Sequence, residues 1–319
     1  MAQFGKVLTA MVTPFRDDRS LDLDAAASLA RWLVANGSDG LVVAGTTGES
    51  PTLTHEEQAD LIAAVATATD VAVVAGAGSN DTEAAIDLTK RATQAGASGI
   101  LSVTPYYNRP SQAALFKHFA TVAAATHLPV LIYDIPVRTG RKVDTATLLQ
   151  LAQQVPNIVG VKDAAGDPSE TAKLIAEAPD GFEVYSGDDG LTLSLLAVGA
   201  VGVIGVATHW AGVEHAQMIA AYEKGDTATA RRINASLIPS FTYETGLDAP
   251  NPIPAKAMMR LLGMSVGRCR PPMDVEPADL AERAAQVLQD SALAVTSGTV
   301  TSGTVTSGTV TSGTGFARD

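Results

Sequence analysis

The chain has 319 residues, of which 46% are hydrophobic and 18% charged, and a formal net charge of −12. So acidic a chain argues against a nucleic-acid surface, and no window approaches the roughly 18 consecutive apolar residues of a membrane span. The one cysteine, Cys269, excludes an intrachain disulfide and reads as a free thiol in a reducing compartment.

The N-terminus, "MAQFGKVLTAMVTPF", lacks the basic region, long apolar run and small-residue cleavage site of a signal peptide. The expected location is cytoplasmic. Short β-rich runs then follow in order: "VLTAMVTPF", "DGLVVAG", "VAVVAGAG", "GILSVTPY", "PVLIYDIP", "IVGVKDAAG", "FEVYSGDD" and "GVIGVATH". Between them lie segments such as "LDAAASLARWLVANG" and "THEEQADLIAAVATAT", with apolar residues at three- and four-residue spacing and Thr, Asp or Ser at N-cap positions. The strands are continuous apolar runs, as expected where helices cover both faces of a sheet.

Eight βα units within residues 1–225 predict an α/β fold, a closed (β/α)8 TIM barrel. An open doubly wound sheet is the rival, but "GAGSND" lacks the third glycine of a dinucleotide-binding turn and no GxxxxGK occurs. Residues 226–294 carry only helical patterns, including "PIPAKAMMRLLGM", and predict a small C-terminal helical appendage. Residues 295–319 cycle "VTSGT", offer nothing to pack, and are expected to be disordered.

In such barrels the active site lies at the C-terminal ends of the strands. Those ends supply Thr46, Thr47, Gly48 and Glu49 after strand 2, then Tyr106, Tyr107 and Asn108 after strand 4. Tyr133 and Arg138 come with strand 5, Lys162 with strand 6, Ser186 to Asp189 with strand 7, and Thr208 and His209 with strand 8. Alternation along strand 6 turns Val159, Val161 and Asp163 outward and Gly160 and Lys162 inward. An inward lysine is desolvated, its pKa is lowered, and more free amine is present to attack a carbonyl carbon. The residues alone leave a second reading open, a strand-end lysine that pairs with Asp188 or Asp189 and holds the rim together. The histidines lack metal-ligand spacing, so no metal site is expected.

"GTTGES", "VTPYYNRPSQ", "YDIPVRTG", "IVGVKDAAGD" and "NPIPAKAMMRLLG" together resemble the dihydrodipicolinate synthase family, within the pyruvate-dependent class I aldolase or N-acetylneuraminate lyase superfamily. The resemblance runs from about Leu8 to Leu293. It implies a lyase of lysine and diaminopimelate biosynthesis that condenses pyruvate with L-aspartate 4-semialdehyde, with Lys162 as the Schiff-base nucleophile and no cofactor. It implies proton shuttling by Tyr133, linked through Thr46 to Tyr107, and capture of the pyruvate carboxylate by Thr47. Arg138 would grip the semialdehyde carboxylate, and Gly187 and Ile204 would line the pyruvate pocket. It also implies a homo-oligomer, with Tyr107 reaching into the adjacent subunit's site, a dimer as the minimum and a tetramer as the usual form.

Two residues of strand 5 depart from the family pattern, Asp134 where asparagine is more usual and Val137 where glycine is. Asp134 is expected to point outward with little effect on chemistry, and Val137 to tighten the loop carrying Arg138. Some family members are inhibited by lysine at the dimer interface. Of the positions expected there, Ser50, His55, Asn80 and Tyr106 are present, while Gln58 replaces an imidazole or carboxylate and Ala84 a glutamate. A lost charge-assisted contact is typically worth about 1.5–3 kcal/mol, so weak or absent lysine inhibition is expected. Sister aldolases acting on N-acetylneuraminate or 2-keto-3-deoxy sugar acids share the lysine and tyrosine, but Arg138 within "RTG" and "YYNRP" favour the synthase. A non-catalytic barrel would be expected to have lost Lys162, Tyr133 or Thr46, and all three are present.

Overall fold

A computed structural model of the chain describes residues 2–291 and Leu293, together with the backbone at residues 300–301 and 304–305. Eight parallel strands close into a barrel in sequence order: β1 (Val7–Ala10), β2 (Gly40–Val43), β3 (Ala72–Gly76), β4 (Gly99–Val103), β5 (Val130–Asp134), β6 (Ile158–Asp163), β7 (Glu183–Ser186) and β8 (Gly202–Gly205). Strand β1 closes the ring by pairing with both β2 and β8.

The covering helices are α1 (Leu23–Ala35), α2 (His55–Ala68), α3 (Thr82–Gln94), α4 (Gln112–Ala123), α5 (Pro136–Thr139), α6 (Thr145–Gln154), α7 (Pro168–Glu177), α8 (Thr192–Ala197) and α9 (Thr208–Glu223). Their starts follow local chemistry. Thr54 and Glu57 form a reciprocal capping box on α2, and Asp167 accepts two backbone N–H groups ahead of Pro168 on α7. Helices α10 (Thr227–Tyr243), α11 (Ile253–Leu261) and α12 (Leu280–Asp290) make up the C-terminal region. The VTSGT repeat lies outside the described residues, apart from the strands β9 (Val300–Thr301) and β10 (Thr304–Val305), which pair antiparallel.

The barrel interior is a packed core of its own. Leu8, Val42, Val74, Leu101, Leu131, Tyr133, Tyr185 and Ile204 are buried there, drawn from every strand except β6, whose partly buried Val159 packs against them. Strand β6 instead brings Gly160 and Lys162. Gly160 has no room for a side chain, because a Cβ there would lie 2.2 Å from the Glu183 carbonyl oxygen and 3.0 Å from Leu131. The β5–β6 register slips at this point, with Val130 opposite Ile158 but Leu131 opposite Gly160.

That slip corrects the expected alternation, since Val159 packs against the interior cluster rather than facing the helices. One extra residue in a strand resets the two-residue period. Beyond the slip the expectation holds, with Val161 in the outer core and Lys162 inward. At the eighth strand the sequence reading ran too far, because β8 ends at Gly205 and Thr208 and His209 open helix α9.

Candidate active site

Lys162 stands at the C-terminal end of β6, buried between two tyrosines. Its register partners are Tyr133 on β5 and Tyr185 on β7. The ammonium nitrogen lies 4.3 Å from the centre of the Tyr133 ring. Burial pushes the amine down to about 8; Asp189 and Glu244 pull it up, and Arg138 pushes it down. At neutral pH such an amine is free some hundreds of times more often than that of an ordinary lysine, roughly a factor of 300 for a shift of this size. Gly187 gives the lysine stem its space, because a Cβ there would sit 3.0 Å from Lys162 Cγ.

Tyr133 is also buried, and burial raises its phenol to about 12, opposed by Arg138 and by a side-chain hydrogen bond with Thr46. It therefore keeps its proton at neutral pH. Ile204 packs in the same interior cluster. Arg138 sits exposed on the short helix α5, where its charge still reaches Lys162 and Tyr133.

The loop after β2 is held from several sides. Glu49 N–H bonds the Thr46 carbonyl at 3.0 Å, and the Thr13 hydroxyl donates to the Gly48 carbonyl. Thr47 is buried, and its hydroxyl oxygen accepts from Asn251 Nδ2 at 3.0 Å. Glu49 takes a left-handed backbone (φ 58°) and points its carboxylate at Lys256 Nζ, 2.6 Å away on α11. Its other oxygen accepts the Arg270 backbone N–H at 2.8 Å. The Arg270 guanidinium makes two further bonds to Glu57, at 2.8 and 2.6 Å, and lies with Lys256 over the ring of Phe15. The C-terminal region thus pins the loop that carries Thr46 and Thr47.

Tyr107 is not brought to this cluster within the chain. It is 91% exposed, with a left-handed backbone (φ 73°), a conformation that costs a non-glycine residue on the order of 1–2 kcal/mol. The same loop is tied back by Asn108, whose amide donates to the Asn80 carbonyl at 2.8 Å. Of the other residues expected around an interface ligand, Gln58 donates to the Ser50 carbonyl at 3.2 Å, and Ala84 and Tyr106 are partly exposed. His55 instead pairs with Asp87 on α3.

Asp134 does point outward, as expected, and it has a structural task. It accepts the Val143 N–H at 3.1 Å and faces Lys142 at 3.4 Å, closing the segment that carries Arg138. Burial pushes its carboxyl up to about 6, opposed chiefly by Lys142. Val137 is 86% exposed, so any tightening of the loop would have to come from its backbone preference rather than from buried packing. His209 is a satisfied core residue; its Nδ1–H donates to the Val206 carbonyl and its Nε2 accepts from Val12 N–H. Cys269 is buried, which pushes its thiol up to about 12 and leaves it inert. Among the described residues no helix is long and apolar enough to cross a membrane.

A nucleophile-grade amine against a proton-holding tyrosine, inside a parallel barrel, is a site for carbonyl chemistry. Residues 3–290 match the model of the dihydrodipicolinate synthetase family. The chain belongs to that family. A relative from Moorella thermoacetica named 4-hydroxy-tetrahydrodipicolinate synthase is 47% identical over 293 residues, 91% of this chain and 99% of its own length. Among solved structures, the dihydrodipicolinate synthase of Cyanidioschyzon merolae with lysine bound superposes with a TM-score of 0.89 at 42% identity, covering 92% of this chain and 99% of its own. The chloride-inhibited enzyme of Acinetobacter baumannii complexed with pyruvate gives a TM-score of 0.86 at 33% identity, with coverage of 91% and 100%.

Asn251, Lys256 and Arg270 had no assigned role in the sequence reading. The weak signal they gave was an amide and cations inside or beside apolar helical stretches. Replacing Lys256 by methionine leaves Glu49 buried without its counter-charge and is expected to lower stability by about 3–5 kcal/mol in denaturant unfolding. A second outcome concerns Asp134. Its folded pKa is raised, so between about pH 4 and pH 6 the native state binds more protons than the unfolded one, and stability falls as pH rises. Asp134→Asn removes that loss, and its Tm advantage over the parent is expected to be larger at pH 7 than at pH 4.

Proposed function

We propose that this chain condenses pyruvate with L-aspartate 4-semialdehyde to give 4-hydroxy-tetrahydrodipicolinate, a step of lysine and diaminopimelate biosynthesis, through an imine on Lys162. The observation that carries the residue assignment is the desolvated Lys162 amine held against the Tyr133 ring. In this reading the amine attacks the keto carbon, and loss of water gives the imine. Loss of a methyl proton gives the enamine, whose carbon adds to the aldehyde. The amine of the bound semialdehyde unit then displaces Lys162 by transimination, closing the ring and freeing the enzyme. No cofactor is required, because the lysine imine itself acts as the electron sink.

Tyr133 serves as proton donor and relay, consistent with a phenol that burial keeps protonated, and passes protons through Thr46. The relay ends at Tyr107, supplied to the site of an adjacent subunit, for which its exposure and its position on a tied-back loop are the support. A dimer is the minimum unit of this reading, a tetramer its usual form and the cytoplasm its location. Thr47 accepts from Asn251, which leaves its hydroxyl proton to donate to the pyruvate carboxylate. Arg138 offers a planar fork to the carboxylate of the semialdehyde.

Incubation with pyruvate and borohydride is expected to leave one reduced adduct on the peptide containing Lys162, with a rate that rises as pH approaches about 8. Lys162→Ala should abolish the adduct, and Tyr133→Phe should slow turnover by about 10² to 10⁴. An adduct on another lysine would overturn the assignment, and turnover with sugar aldehydes in place of the semialdehyde would favour a sister aldolase. Lysine is expected to inhibit weakly or not at all, since Ala84 offers no carboxylate to its amino group; inhibition at micromolar lysine would refute this.

A further inference from the structure

Behind Lys162 lies a group of buried ionisable residues that the reaction as written does not use. Asp189 and Glu244 are almost wholly buried, as is His215. Glu244 follows α10 in the C-terminal region, whereas Asp189 follows β7. Two consecutive backbone amides hold the two carboxyls side by side. Val206 N–H donates to Asp189 Oδ2 at 2.8 Å, and Ala207 N–H donates to Glu244 Oε2 at 2.9 Å. Because the two donors are neighbours in the chain, the carboxyls they hold act on each other, and each raises the cost of ionising the other.

Two unprotonated carboxylates held on adjacent amides would repel strongly in so buried a position. Asp189 Oδ1 adds a second argument. It lies 3.4 Å from His215 Nε2 and has no well-formed hydrogen bond among the fixed donors. The Nδ1–H of His215 is committed to the Ala211 carbonyl at 2.7 Å, so a neutral ring turns a lone pair toward Asp189. His215 Nε2 is equally without a partner, so the missing proton sits either on that ring nitrogen or on Glu244. Burial, together with the charges of Asp189 and Asp188, raises the Glu244 carboxyl well above the usual range.

We propose that Asp189 and Glu244 share one proton and present a single negative charge to Lys162, which makes Glu244 a positioning residue for the nucleophile. The inference rests on Lys162 being the imine-forming lysine. The groups facing Lys162 are Tyr133 on β5, Tyr185 on β7, Arg138 on α5, and Asp189 with Glu244. Those facing the carboxyl pair are Asp188, His209, His215 and Lys162 itself. The shared charge favours the ammonium and the protonated imine that follows it, and it offsets the desolvation that favours the free amine. The pair is redundant by construction. If Glu244 loses its acid, Asp189 keeps the charge; if Asp189 loses its acid, Glu244 is free to ionise.

The test is the pH midpoint of pyruvate–borohydride adduct formation in Glu244→Gln, Asp189→Asn and the double variant. Adduct on Lys162 in the parent protein establishes the nucleophile independently, so failure of that reading is seen first and separately. Each single variant is expected to stay within a few tenths of a pH unit of the parent. The double variant is expected to fall by roughly one unit, because both acids that favour the ammonium are then gone. A Glu244→Gln midpoint as low as that of the double variant would mean two separate charges, with the proton on His215, and would overturn the proposal. A double variant with the parent's midpoint would equally overturn it. An infrared comparison of the parent with Glu244→Gln gives a readout that does not need the double variant to fold. A protonated-carboxyl band at neutral pH that disappears in the variant supports the shared proton, and its absence from the parent refutes it.

Discussion

The interior of a closed parallel barrel is a poor place for a charge. Helices cover the outside, side chains fill the inside, and the strand backbones are already paired. Lys162 occupies such a place, and the surroundings compromise between two demands. Aromatic neighbours on β5 and β7 help strip water from the amine, and burial lowers its pKa. Acidic groups behind it pull the other way and keep the charged form accessible. Space is made by omission, since Gly187 leaves the stem its channel. The slip at Gly160 restarts the alternation and so sets which side chains of β6 face inward.

The second organising feature is the ion pair between Glu49 and Lys256. Both partners are almost entirely out of water, and the pair spans 207 positions of sequence, from the loop after β2 to helix α11. Buried pairs of this kind add little net stability compared with apolar packing, but they penalise misplacement strongly. That suits a loop whose Thr46 reaches Tyr133 and whose Thr47 meets Asn251. The left-handed backbone at Glu49 is the strain accepted for that aim.

Much of this was legible in the chain. Eight apolar runs separated by helical periods predict the barrel, and neighbouring strands in a barrel place Tyr133 beside Lys162 once both are assigned inward. Local period was a reliable guide as long as nothing interrupted it. It misled at Val159, where the slip in register turns an expected outward side chain into the interior. It misled again at Thr208 and His209, since a strand end running into a helix carries no change of apolar pattern. Glu244, Asn251 and Lys256 were not legible as site residues at all. Their partners lie tens to hundreds of positions away, and no periodicity reports on a contact made by tertiary packing alone. The five motifs that resemble the family marked "NPIPAK" as meaningful without saying what its lysine does.

Synthesis of the chain runs from the N-terminus, and that order matters here. Strand β8 ends at Gly205, so every strand of the barrel has been translated before Glu244, Asn251 and Lys256 exist. A ribosome-bound chain at that stage already carries Lys162 but has neither the carboxyl of Glu244 nor the anchor for the loop after β2. Completion of the last helices is therefore what fixes the loop after β2 and seats Glu244 beside Asp189, on strands that are already in place.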